Sequence, residues 1–153
     1  MRTDVRHDVP VLAVTPSATG PLTLSARVVG VALVLATGWI HLDPWLDGYR
    51  DIRWIGPLFL ADVVLSAVLA LAVLTASARW LPWACAAGAL LQAGTLGGLL
   101  LSVSVGFLGF VETWAAPLTV PSVAVEGAGS VVLGAFAAGE LARYRHRRHG
   151  DRR

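Results

Sequence analysis

Four apolar runs dominate the pattern of this chain, at about 22–42, 55–78, 81–110 and 118–142. Crossing a bilayer takes roughly 20 such residues, so each run is long enough to span. Within the runs, small and polar residues recur at steps of three and four, the period of helices rather than strands. The pattern therefore predicts an all-α protein, a four-helix transmembrane bundle over 21–142. Residues 1–20, with Pro10, Pro16 and Gly20, read as a flexible cytoplasmic tail, and 143–153 as a basic cytoplasmic tail.

Composition agrees with the pattern. Of 153 residues, 56% are hydrophobic and 14% charged, and the mean hydropathy is +0.67, more apolar surface than a soluble domain of this length could hide. The single cysteine, Cys85, lies inside the third run, which excludes thiol–disulfide membrane chemistry within one chain.

Between the first two runs lies the densest polar block, residues 41–60. Asp43-Pro44 has the form of a helix start, Asp as cap and Pro at the first helical position. A short interfacial helix from Pro44 to about Arg53 is expected in this first outer loop. It would place Trp45, Tyr49 and Ile52 on a membrane face and Asp47, Arg50 and Asp51 towards water. Gly56-Pro57 suits re-entry into the second span. Trp39, Trp54 and Trp114 read as interface anchors.

The charges set the threading. Arg2, Arg6, Arg27, Arg79 and the arginines from Arg143 onward fall on one side of a four-span chain, and only Arg50 and Arg53 on the other. The positive-inside rule then places both termini in the cytoplasm of a bacterial inner membrane. A cleavable signal peptide ending near Ala36 and Gly38 is the weaker reading, because apolar character continues to Leu42. The tail from Arg143 to His149 reads as a topology anchor on anionic headgroups, not a nucleic-acid site.

In lipid, helices associate by close backbone approach and interhelical hydrogen bonds. Gly88, Gln92, Thr95, Ser102 and Gly106 form one stripe of the third run, and Gly94 and Gly98 add a GxxxG pair on a neighbouring face. These are the expected helix-packing residues, with homo-oligomerisation as a further use. Ser122, Glu126 and Ser130 line the fourth run, Asp62 and Ser66 the second, and Thr37 and His41 the first.

Packing explains the small residues but not the acids. A charged group at mid-span costs about 2.5–3.5 kcal/mol on insertion scales, so Asp62 and Glu126 need partners. His41, Tyr49, Arg50, Arg53 and Glu112 are the other members of the candidate cluster. Its simplest reading is structural, with Arg50 or Arg53 dipping to the buried acids. Its second reading is a ligand, cation or proton site. A metal or haem centre is the weakest, since His41 is the only histidine near a span and no ligand motif is present. No cofactor is expected, and no catalytic constellation makes an enzyme the default.

His41-Leu42, Trp45, Gly48-Tyr49-Arg50, Ile52 and Ile55-Gly56-Pro57-Leu58-Phe59-Leu60 resemble a group of small four-helix integral membrane proteins of actinobacteria. Gly106-Phe107, Gly109-Phe110, Glu112 and Glu126 resemble it too. The resemblance implies the same fold and inner-membrane location and brings no activity. Asp62 departs from it, standing where the group is expected to carry an uncharged residue.

The functional expectation is a non-enzymatic membrane module that binds a partner, lipid or small ligand at its outer face. One alternative is an oligomeric ion- or proton-coupled transporter using Glu126 and Asp62. Another is a quinone-binding accessory with His41, Tyr49 and Arg50 as polar contacts.

Overall fold

The computed structural model describes residues 21–150, with side chains from 24 to 143. The expected tail at 1–20 lies outside the described residues, as do Arg152 and Arg153. Four helices follow in order: α1 (Pro21–Leu46), α2 (Ile55–Thr75), α3 (Leu81–Val105) and α4 (Thr119–Gly150), with a single 3-10 turn at Tyr49–Asp51 between α1 and α2. All four are long and apolar enough to cross a membrane, with mean hydropathies of 1.5, 2.5, 1.6 and 1.5 over their spans. Leucines, valines and tryptophans around the whole circumference remain exposed, as lipid-facing helices require. The protein is an all-α, multi-pass membrane bundle.

Each helix packs on its neighbours in sequence, and α4 closes the ring on α1; α2 and α4 stand on a diagonal and do not meet. The α1–α2 and α3–α4 seams are close, whereas α2 and α3 are more loosely apposed. Close approach has identifiable causes. A Cβ at Gly38 would press on Ser66, one at Gly88 on Leu133, and one at Gly129 would overlap the Gln92 amide. Gly88 and Gln92 thus lie where α3 approaches α4 closely, with Gly129 as the counterpart of Gln92 on α4. Gly94 and Gly98 behave otherwise. Nothing lies within 4 Å of a Cβ built on either, so the GxxxG pair joins no helices within this chain.

Three element ends differ from the hydropathy pattern. Helix α1 runs through Asp43-Pro44 to Leu46, because a proline this near a helix end forfeits only the bond to the Ile40 carbonyl. The helical element of the outer loop is consequently one turn starting at Tyr49, not a helix from Pro44. Helix α3 stops at Val105 rather than 110. Gly106 takes φ +85 as its cap, so it ends the helix instead of packing it. Phe107 and Phe110 then exchange backbone hydrogen bonds of 2.7 and 2.9 Å across Leu108 (φ 50) and Gly109 (φ 80), a type I′ turn. Helix α4 continues past the apolar run as backbone to Gly150.

The bundle has two storeys. Towards the Arg79 end, Val34, Ala70, Val73, Leu81, Cys85, Leu133 and Ala137 form a buried apolar core. At this end Arg27 reaches from α1 to the last turn of α2, donating to the carbonyls of Val73 (3.1 Å), Leu74 (3.0 Å) and Ala76 (2.7 Å). Those carbonyls are the acceptors a helix end leaves unpaired, and a cation there also complements the helix dipole. Towards the Tyr49 end the interior is polar and open.

Candidate functional site

The polar storey is built from residues at matched depth. Asp62 and Glu126 each lie two turns into their helices, roughly 10 Å at 1.5 Å per residue. Both are buried, at 4% and 1% exposure. His41, near the end of α1, stands between them, its Nδ1 3.1 Å from Asp62 Oδ2 and 3.9 Å from Glu126 Oε1. The same nitrogen is 3.0 Å from the Thr37 carbonyl, which can only accept, so Nδ1 carries a hydrogen. That hydrogen points along α1 to Thr37. Asp62 thus touches the imidazole without receiving its hydrogen bond. The Ser66 and Thr95 hydroxyls lie beside Asp62 and Glu126, and neither Asp62 oxygen nor Glu126 Oε2 completes a hydrogen bond of good geometry among the described residues.

The acids open into a cavity of about 550 Å³. Thr95 and Ser122 share its polar floor, and Phe59, Phe107 and Phe110 line its walls. The chain has four phenylalanines, so three of them are concentrated here. The Phe59 and Phe110 rings form a connected set with His41 and Tyr49: His41 against Phe59 at 4.8 Å between centroids, Tyr49 against Phe59 at 5.4 Å, and Tyr49 against Phe110 at 5.3 Å. Gly94 and Gly98 also line the cavity, which explains the free space above them.

A clasp closes the mouth. The Tyr49 hydroxyl donates to Glu112 Oε2 at 2.9 Å, while Glu112 Oε1 accepts the Thr113 N–H at 2.8 Å. The Glu112 N–H donates to Ser102 Oγ at 3.0 Å, and that hydroxyl donates to the Phe110 carbonyl at 3.3 Å. Glu112 and Ser102 therefore fasten the α1–α2 and α3–α4 loops to each other and to α3. Partial burial and the neighbouring Glu112 carboxylate push the Tyr49 phenol up from 10.0 to about 12. A group whose folded pKa is raised contributes stability below its unfolded pKa and loses it as pH rises towards the folded value. The clasp is therefore intact at neutral pH and released between about 10 and 12. Tyr49→Phe is expected to cost about 1 kcal/mol in equilibrium unfolding and to abolish alkaline loosening of the loop, read by proteolysis across that range.

The expected arginine partners are elsewhere. Arg50 is exposed and 3.9 Å from Asp51, and Arg53 stacks over the Trp54 ring at 5.1 Å. Neither pairs with Asp62 or Glu126. Local backbone accounts for this. Gly48 (φ 120) turns the chain, and Trp54 (φ 64, ψ −42) is the centre of a γ-turn closed by an Ile55 N–H to Arg53 carbonyl bond of 2.7 Å. Both guanidinium groups are directed outward. Of the proposed quinone contacts, His41 and Tyr49 line the cavity and Arg50 does not. Among the described residues no group of three or more His, Cys, Asp or Glu side chains is placed to hold a metal ion.

Sequence reasoning identified His41, Tyr49, Asp62, Glu112 and Glu126 but missed the aromatic wall and the Arg27 staple. Phe107 and Phe110 carried a signal, each following a glycine where the apolar run should have ended. In comparisons with known proteins, no family model, no curated protein and no solved structure matches the chain.

Proposed function

We propose that this protein is a non-enzymatic membrane module that holds a small ligand in the cavity at its Tyr49 end. The observation that carries this reading is a pair of buried carboxyl groups with unused lone pairs facing open volume. Buried polar atoms are paired in the great majority of cases, and these carboxyl groups, unlike the Gln92 amide and the Ser66 hydroxyl that are also unpaired, line an open cavity. A cavity of about 550 Å³ with apolar walls and a few convergent polar groups has the size and make-up of a small-molecule site. The excess of arginine at the other end supports a bacterial inner-membrane protein with both termini in the cytoplasm and the cavity facing outward. Membership of the actinobacterial four-helix group suggested by the 41–60 block fits the same arrangement. The transporter reading is less well supported, because the apolar core lies between the cavity and the Arg79 end.

Gly98→Phe tests the reading. The glycine lines the cavity with nothing within 4 Å of an added Cβ, so a larger side chain there takes up cavity volume. Native mass spectrometry of gently purified protein is expected to show a bound small molecule that the variant lacks at unchanged thermal stability. Identical spectra without any bound species would overturn the proposal. Gly98→Ala, filling almost nothing, is expected to keep the ligand and to raise stability by about 0.5–1 kcal/mol through reduced chain entropy.

A further inference from the structure

The chemistry of the cavity specifies what it takes. Asp62 on α2 and Glu126 on α4 are its buried acids, His41 on α1 stands partly buried beside them, Asp43, Asp47 and Glu112 also line it, and the lining of α3 is uncharged. With both acids ionised, even a protonated imidazole leaves one negative charge without a counterion. Arg50 and Arg53, the nearest loop cations, point away. An uncompensated charge in a desolvated site is expensive; a proton or a bound cation removes that cost, and the aromatic lining favours the cation. Tyr49, Phe59 and Phe110 line the cavity with the acids, and aromatic rings attract organic cations in desolvated pockets. A hydrated inorganic cation would gain from the acids but not from these rings.

The apolar part of the ligand is specified by the α2–α3 side. Leu58 and Leu65 on α2 and Leu90 on α3 line the cavity, yet they are 45%, 47% and 73% exposed. The cavity therefore opens sideways where the surrounding medium is lipid, through the most loosely packed seam of the ring. We infer that the cavity binds an organic ammonium group attached to an apolar body, entering between α2 and α3, with Asp62 and Glu126 as its counter-charges and Tyr49, Phe59 and Phe110 as its aromatic wall. This rests on the reading of the cavity as a ligand site. The ammonium belongs either to a lipid headgroup or to a free amphiphilic amine.

Three probes with one chain length decide it: octyltrimethylammonium, uncharged octyldimethylphosphine oxide and anionic octyl sulfonate. Each is titrated into the full chain in dodecyl maltoside micelles, which carry no amine, with empty micelles subtracted. The cation is expected to bind about tenfold or more tighter than the other two. Glu126→Gln is expected to erase that preference, and Phe59→Leu to weaken the cation several-fold while sparing the phosphine oxide. Phe59→Leu carries the test if the acid variant does not fold. Equal binding of all three probes, lost in Gly98→Phe, would overturn the ammonium assignment and leave the cavity reading standing. Binding that Gly98→Phe does not touch would overturn both. Competition by phosphatidylethanolamine, but not phosphatidylglycerol, added to the micelles would assign the ammonium to a lipid headgroup. Absence of competition in a protein that prefers the cation would assign it to a free amine.

Discussion

Gly56→Ala is expected to destabilise the protein by about 3 kcal/mol or more and to open the mouth of the cavity. In most helices this exchange gains stability, because alanine has the better helix propensity. Here an added Cβ would collide with the backbone of Arg50, its carbonyl oxygen nearest. Overpacking typically costs about 1–3 kcal/mol when side chains can adjust, and a backbone atom cannot rotate away. The chain from Gly48 to Trp54 would have to move as a unit, drawing Tyr49 off Glu112 and Phe110. Unfolding in graded denaturing detergent measures the first effect. Faster proteolysis of the α1–α2 loop measures the second. The contrast with Gly98→Ala, the same chemical change with the opposite expected sign, makes the pair diagnostic. Equal stability of the two variants would show that the loop does not sit on α2 as described.

Arg27→Leu is expected to cost about 2–4 kcal/mol, the loss of several charge-assisted bonds to carbonyls that have no helical partner. Arg27→Lys separates charge from geometry. An ammonium complements the helix dipole equally well but cannot fork across three carbonyls, so it should recover about half of the loss. Full recovery by lysine would mean that charge alone acts here. Neither variant should change ligand selectivity, because the staple and the cavity lie at opposite ends of the bundle. Cysteine-accessibility labelling of Cys85, buried in the core on that end, offers an independent readout of local opening.

The spans and the acids were legible in the sequence because lipid makes them so. Twenty apolar residues have few alternatives to a helix, and a carboxylate inside such a run stands out against its neighbours. His41 was legible for the same reason. The partners of the acids were not, because the direction of a loop side chain depends on a few dihedrals. Positive φ at Gly48 and Trp54 sends Arg50 and Arg53 outward, and a tryptophan gives no warning of such a conformation. The end of α3 was misread since Phe107, Leu108 and Phe110 are as apolar as a span, although Gly106 and Gly109 marked a turn. GxxxG spacing at Gly94 and Gly98 suggested contact between helices. Small residues also make room, and here they border a cavity.

The layer of Val34, Val73 and Leu133 beneath the acids has a kinetic consequence. Each of these side chains is at most 1% exposed, and together they close the bundle below His41. A pocket sealed at its base exchanges only on the Tyr49 side of that layer, through the α2–α3 seam and the mouth. Its occupancy follows the concentrations on that side, however large the gradient across the membrane. Such a site can buffer, present or sense a molecule, whereas sustained net flux would require the valine–leucine layer to part once in every cycle.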